Sequence, residues 1–417
     1  MIEATEHAPT AQLSRQHIML ILLLAGIVMF EGFDISATSV VLPYVGKDFH
    51  ISNSGLGSAL AVIALGSIAA WVLLRLADRY GRRPLLLTAA AGFSVGSLAT
   101  AAAVGINSYT AIQFVTRALL VTQIAMAYLV LSETLPPYLR GRANGMLGAM
   151  GSFGAALPFM VIGPALETSL GWRLLFILGA APLLLMPLLL WKLRETPVWL
   201  AAHREGGIQR ASPMDELRQL LHPQLRRSFI AVSLLWFLIN FTSSVSSLFF
   251  TLYVVKERGW PASDFGRIAP FGLIGAFVGY ILAGQLADAI GRRWTMCLFM
   301  ALLGAFTLSC YSSTSWIVIA ASFIGLQAML GVWVVAYTIN SELFPTHLRA
   351  AANGWCHNLI GRWGVVSAPA LLGALSSWIG SIGQAATMLG VSAWIAIPLI
   401  WFLIPETRSR SLDEVRH

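Results

Sequence analysis

Four ionisable residues interrupt stretches that are otherwise apolar enough to lie in hydrocarbon: Glu31, Asp34, Arg117 and Arg362. A charge at bilayer depth costs ~2.5 to 3.5 kcal/mol on insertion scales, so each of the four demands a reason. Glu31 and Asp34 stand three residues apart, the spacing that puts two side chains on one helix face. A carboxyl among apolar groups favours its neutral form and one beside a guanidinium its ionised form. Moving a carboxyl between those environments therefore carries a proton. Arg117 and Arg362 stay charged, and each offers a planar fork suited to a carboxylate. Blander readings stand beside these: Asp34 and Arg117 as a fixed ion pair between two helices, and each arginine as the neutraliser of an acidic neighbour. Aromatic and amide residues at similar depth are Phe33, Gln123, Trp236, Asn240, Phe241, Gln327, Trp333, Tyr337, His357 and Asn358. They suit stacking on a ring and fixing its orientation, and equally packing or contact with lipid. His357 is either a proton relay or a satisfied packing histidine.

The elements that must hold these residues are membrane helices. Of 417 residues, 57% are hydrophobic and only 11% charged, with mean hydropathy +0.73, whereas a soluble domain is ~25% charged. Twelve apolar stretches of about 20 residues each are predicted to span a bilayer. They lie near 18–44, 55–76, 84–104, 108–132, 144–166, 172–192, 228–254, 266–287, 294–312, 315–340, 351–376 and 381–404. The net charge of +8 would by itself suggest nucleic acid. With both termini cytoplasmic, however, twenty of the 27 basic residues fall on that side, five outside (Lys47, Arg173, Lys256, Arg258, Arg267) and two within helices. That asymmetry is the positive-inside pattern, so the charge reports orientation and no nucleic-acid partner is expected.

Residues 1–17 are polar, include Glu3, Glu6 and His7, and lack the pattern of a removable signal peptide. Cys297, Cys310 and Cys356 sit in or beside apolar segments without CxxC spacing, so neither a disulfide scaffold, a metal site nor a cofactor is expected. External loops are short, which favours a buried small-molecule site over a surface for a large ligand.

The chain repeats itself at an offset of about 210 residues. LADRYGRRP from Leu76 returns as LADAIGRRW from Leu286, and SETLPPYLRGRANG from Ser132 as SELFPTHLRAAANG from Ser341. RETPVWL from Arg194 is echoed by PETRSRSLDEV from Pro405. The expected organisation is all-α: a six-helix bundle over 1–192, a cytoplasmic linker over 193–227 with a short amphipathic helix near Met214–Leu221, and a second six-helix bundle over 228–417. The linker is read as a solvated connector or as a binder of anionic headgroups.

These repeated blocks resemble the major facilitator superfamily over nearly the whole chain. That family's loop motif, similar to G-x-L-A-D-R-x-G-R-R, occurs twice here, with Gly284 in the second copy but Leu74 in the first. FEGFDISATSVVLPYV from Phe30 resembles the first helix of aromatic-acid:proton symporters, with Glu31 and Asp34 in the two acidic positions. IGRWG from Ile360 resembles the eleventh helix of aromatic-acid, nicotinate and organic-ion transporters. The resemblance implies twelve helices in two pseudo-repeats and a gating role for charged helix ends. These are Asp78, Arg79, Arg82, Arg83, Glu133 and Arg140 in one half, and Asp288, Arg292, Arg293, Glu342 and Arg349 in the other. They are expected to pair across halves when the protein faces outward.

The leading expectation is a proton-coupled symporter of a small organic, aromatic carboxylate working by alternating access. Asp34 and Glu31 would couple protons, and Arg117 and Arg362 would hold the carboxylate. The alternative is an organic-cation or drug transporter, or a proton antiporter of the same fold, against which stands the lack of the antiporter glycine–proline pattern in the fifth helix. Arg117 and Arg362 have no duplicate: the corresponding positions are Gln327 and Phe153. An enzyme is not expected. GFSVG at 92–96 matches G-x-S-x-G but lies inside an apolar helix without a preceding strand. The expected partners are a small-molecule substrate, protons and the bilayer, with the chain acting as a monomer. The expected location is a bacterial inner membrane, multi-pass.

Overall fold

Where water is absent, an apolar segment must satisfy its own backbone, and each apolar run does so by winding into a helix. The computed structural model describes residues 15–135, 137–204, 212–345 and 348–407. Twelve helices among them are long and apolar enough to cross a membrane. In the first half these are α1 (Arg15–Val40), α2 (Asn53–Ala77), α3 (Arg82–Ala101), α4 (Ile106–Thr134), α5 (Ala143–Leu166) and α6 (Arg173–Lys192). In the second they are α7 (Pro223–Lys256), α8 (Ala262–Ile290), α9 (Arg292–Ser312), α10 (Trp316–Leu343), α11 (Ala351–Ile379) and α12 (Ile382–Leu403). No strand occurs among the described residues. Between the halves a short helix, Pro213–Leu220, begins at Ser212, whose hydroxyl accepts from the Asp215 N–H at 3.2 Å, and it buries Leu220. The GFSVG segment lies within α3, where Ser94 is fully buried and donates to Ala90 O at 2.9 Å. It is helix packing and not a nucleophile.

Small residues set how close the helices come. A Cβ at Gly32 of α1 would overlap the carbonyl of Gly151 on α5, and one at Gly154 the carbonyl of Met29. A Cβ at Gly279 of α8 would likewise overlap Ala328 O on α10. Backbones in direct contact leave α1 no freedom to rotate, and this fixes where Glu31 and Asp34 point.

Residue 15, the connector and residue 407 gather at one end of the bundle, here called the linker end. At the opposite, distal end the two halves are bonded together. Ser39 Oγ donates to Leu248 O at 2.8 Å and Ser247 O at 3.2 Å, where α7 is interrupted between Ser247 and Phe250. The Ser54 N–H donates to Ser377 Oγ at 2.9 Å, and Lys256 Nζ to Asn53 Oδ1 at 3.0 Å. Gly57 of α2 and Gly373 of α11 meet backbone to backbone. Toward the linker end there is open space beside α5 and α8: nothing lies within 4 Å of where a Cβ would stand at Gly145 or Gly284. The rings of Trp71 and Trp355, 5.6 Å apart, still join the halves there, and Arg75 pairs with Glu216 of the connector at 3.8 Å.

Candidate functional site

The close α1–α5 packing puts Glu31 at the wall of a cavity of about 290 Å³ between α1, α4, α5, α8 and α10. Tyr128, Tyr280 and Gln327 share that wall, with Phe159 and Phe323 toward the distal end. One turn further along α1, Asp34 is buried at 1% exposure with Oδ2 unpartnered. Arg117 on α4 reaches α1 through a long 3.4 Å bond to Thr38 Oγ1, which itself donates to Asp34 O at 2.9 Å. Glu31 lies within electrostatic range of Arg117, Arg362 and Asp34, and Arg362 within range of Arg117. Yet no ion pair within 4.0 Å closes between any two of the four. The Asp34–Arg117 bridge envisaged as mere helix glue is therefore absent from this conformation. Opposite charges this near, and left unjoined, are free to receive a charged group or a proton.

A second polar patch belongs to the other half. Trp236 on α7 and His357 on α11 lie ring over ring, with centroids 4.0 Å apart and planes at 32°. Trp333 and Tyr337 of α10 pack edge-on to Trp236 at 5.5 and 4.8 Å, and Tyr337 OH lies 3.2 Å from His357 Nδ1. Which of those two atoms donates depends on the imidazole tautomer. Buried and without partners are His357 Nε2, Trp236 Nε1, Asn240 Oδ1 and Arg362 Nε. Unpaired buried polar atoms are expensive, and concentrating them at one place marks ground kept for a ligand or water.

The proposed ring-binding residues thus separate. Trp333, Tyr337, His357 and Asn240 cluster around Trp236, with Asn358 half-buried on the same turn, while Gln327 belongs to the Glu31 cavity. Phe241 is buried against Phe237, ring centroids 6.0 Å apart. Phe33 and Gln123 lie apart from both groups, and Gln123 Oε1 is also buried without a partner. Phe33 is packed at 3% exposure beside Phe30 and Gly179, and Gln123 ties α4 to α1 by donating to Ile27 O at 3.0 Å.

The repeated charged blocks form two matching clamps, whose bonds among the described residues stay within one half. In the first, the Arg82 guanidinium meets Glu133 at 3.2 Å and Ala77 O at 3.0 Å, and Thr196 Oγ1 donates to Glu133 at 2.5 Å. The Glu195 carboxylate accepts from the backbone N–H groups of Arg82 and Arg83 at the start of α3. Arg83 reaches on to Leu193 O at 2.7 Å. In the second, Arg292 meets Glu342 at 3.1 Å and Asp288 at 2.9 Å, Thr407 donates to Glu342, and Glu406 caps α9 through Arg292 N and Arg293 N. The Arg293 guanidinium stacks on Trp401 at 4.3 Å, and Arg349 donates to Phe344 O. Gly81 and Gly291 turn the chain at φ +102° and +100°, and a Cβ at either would strike the capping carboxylate. The side chains of Asp78, Arg79 and Arg140 lie outside the described residues. Glu195, Thr196, Glu406 and Thr407 were not singled out as site residues, although the RET/PET repeat was the available signal.

Twelve apolar helices in two halves, with unpaired charges and aromatics buried between them, define a multi-pass membrane transporter and not an enzyme. Residues 24–283 and 241–417 match the family model described as Major Facilitator Superfamily, and the chain belongs to that family. It is 24% identical over 422 residues to the niacin transporter NiaP of Acinetobacter baylyi, covering 93% of each chain. It is 29% identical over 393 residues to the 3-(3-hydroxy-phenyl)propionate transporter of Escherichia coli, covering 92% of this chain and 93% of that one. Its fold superimposes on a D-xylose-proton symporter with a TM-score of 0.74 at 20% identity, over 95% of this chain and 99% of the other.

Proposed function

We propose that the protein is a proton-coupled symporter of a small aromatic carboxylate, working by alternating access with both termini cytoplasmic. The bundles over 1–192 and 228–417 rock against each other about the midplane, and residues 193–227 connect them. The observation that carries this reading is the set of two carboxyls and two guanidiniums, contributed by both halves and joined by no ion pair. Arg117 and Arg362 receive the substrate carboxylate, and the cluster around Trp236 and His357 receives its ring. Asp34 and Glu31 load and release protons as access alternates. The printed functions of the niacin and hydroxyphenylpropionate relatives agree with this substrate class. The clamps hold each half together while the distal contacts open and the linker-end contacts close.

The test is uptake of labelled aromatic carboxylates into proteoliposomes under an imposed pH gradient. Asp34→Asn is expected to abolish accumulation and to leave substrate exchange intact. Accumulation at the wild-type level in Asp34→Asn would remove Asp34 from proton coupling.

One observation favours a second reading. Among the described residues, none lining the Glu31 cavity is basic, a lining that suits an organic cation among tyrosines. Competition by quaternary amines that survives Arg117→Ala and Arg362→Ala would select that reading.

A further inference from the structure

The halves follow one plan, yet they differ at one turn. In α11, residues Gly354–Gly361 are wound as a π-helix, and the Arg362 N–H bonds to His357 O, five residues back, at 3.1 Å. The corresponding stretch of α5, residues 145–152, is ordinary α-helix. The shared fold therefore does not require the wider winding, and such turns collect at functional sites. Within the turn or at its edges, Asn353 Oδ1, Trp355 Nε1, His357 Nε2 and Arg362 Nε are buried without partners. Asn353 has a counterpart in the same state in the α-wound first half, Asn144 Oδ1, whereas Trp355, His357 and Arg362 have none.

The geometry has a consequence for the site. In an α-helix, residues five apart point ~140° away from each other. The wider winding reduces this to about 50°, so His357 and Arg362 come to share one side of α11. The same turn carries Trp355, which packs on Trp71 of the other half at 5.6 Å. Rewinding to α would turn the linker-end part of α11 by on the order of 100° relative to the distal part and lengthen the segment by roughly 3 Å.

We propose that Gly354–Gly361 is a register switch. Wound as π, it presents His357 and Arg362 together; rewound as α, it parts that pair as the halves exchange access. The inference rests on the reading of Arg362 as a substrate anchor only for its ligand dependence, not for the switch itself.

The experiment measures a distance within one helix, which rocking of the halves cannot change. Spin labels are placed by Ala351→Cys and Leu371→Cys in full-length protein in nanodiscs, with Cys297, Cys310 and Cys356 replaced by alanine. Two variants perturb the switch. Gly57→Leu prevents the distal closure, while Gly361→Ala sets a Cβ 2.7 Å from Trp236 Cβ and 2.9 Å from Cys356 O, against the π winding. The expected result is two distances about 3 Å apart, with their ratio moved at least ~5-fold toward the longer one by Gly57→Leu. Gly361→Ala is expected to favour the same longer distance; if it does not fold, Gly57→Leu alone decides. One unchanged distance in wild type and in Gly57→Leu overturns the switch. Benzoate is then added at a concentration that raises the thermal midpoint, and is expected to favour the shorter distance. Switching in Gly57→Leu without any benzoate response keeps the switch and removes Arg362 from substrate binding.

Discussion

The contact between Gly57 and Gly373 sets the distal closure, and enlarging Gly57 is expected to hold that end open. A Cβ at Gly57 would overlap the carbonyl oxygen of Pro369 and stand 2.9 Å from Gly373 Cα, where ordinary contact begins at 3.4 Å. Every one of these neighbours is backbone, so no flexible side chain can give way. α2 and α11 must separate by about 0.5 Å at Gly373 and by more at Pro369. Overpacking of this kind costs ~1 to 3 kcal/mol. Replacing a helical glycine by a better helix former returns at most ~1 kcal/mol, and it does so in both conformations. The net penalty therefore falls on the closed state and shifts the equilibrium by roughly 5- to 150-fold. The perturbation is Gly57→Leu, and the assay is maleimide labelling of Ser39→Cys, a position buried at the distal seam. Labelling is expected to accelerate at least 5-fold and uptake to fall, with the elution profile unchanged. Gly145→Ala, at a site with nothing within 4 Å, serves as the neutral control. Wild-type labelling and uptake in Gly57→Leu would refute the closure argument.

Arg117→Ala or Arg362→Ala is expected to weaken stabilisation by aromatic carboxylates about 10- to 100-fold, as loss of a charged hydrogen bond predicts, without affecting the corresponding amides; thermal-shift titration reads this. Glu195→Gln and Glu406→Gln are each expected to remove ~0.5 to 2 kcal/mol by weakening the cap on α3 or α9, with similar drops in melting temperature because the clamps match. At the distal surface, Arg173 donates to Asp48 at 2.7 Å and Trp172 Nε1 at 3.2 Å, and the Arg173 bond first of all holds the Asp48 carboxyl below its ordinary range. That contribution is present above the unfolded carboxyl value of ~3.9 and is lost as pH falls through the lower folded value. The melting-temperature difference between wild type and Asp48→Asn should therefore shrink below about pH 4, and it should be small at any pH because the pair is partly exposed.

The helices and their duplication were legible because both rest on composition and on repeated strings. Spans predicted near 18–44 and 351–376 are observed as Arg15–Val40 and Ala351–Ile379. The four charges within the spans were legible for a similar reason, since a charge in an apolar run is conspicuous whatever surrounds it. Facing was not. Phe33 and Phe30 lie on the same helix, and only the glycine contacts with α5 determine that Phe33 turns inward toward Gly179. The partition of the aromatics between Glu31 and Trp236 likewise depends on how α8, α10 and α11 cross. The π winding had no local signal, because GWCHNLIG contains nothing an α-helix could not hold. It lies where Trp236 and Asn240 pack close to Gly361, a contact between helices that no single segment encodes.

The two clamps have a mechanical consequence. Each joins helix ends of one half through an arginine, its carboxylate partners and a threonine hydroxyl, and none of the clamp bonds among the described residues reaches across to the other half. They therefore stiffen the levers and leave the latch to other contacts. Damage to a clamp would let one half flex while the other holds its shape; under the proton symport proposed above, a proton could then cross without its passenger. Such a lesion would show as slippage, a falling ratio of solute moved to protons spent, while the affinity for the solute stayed the same.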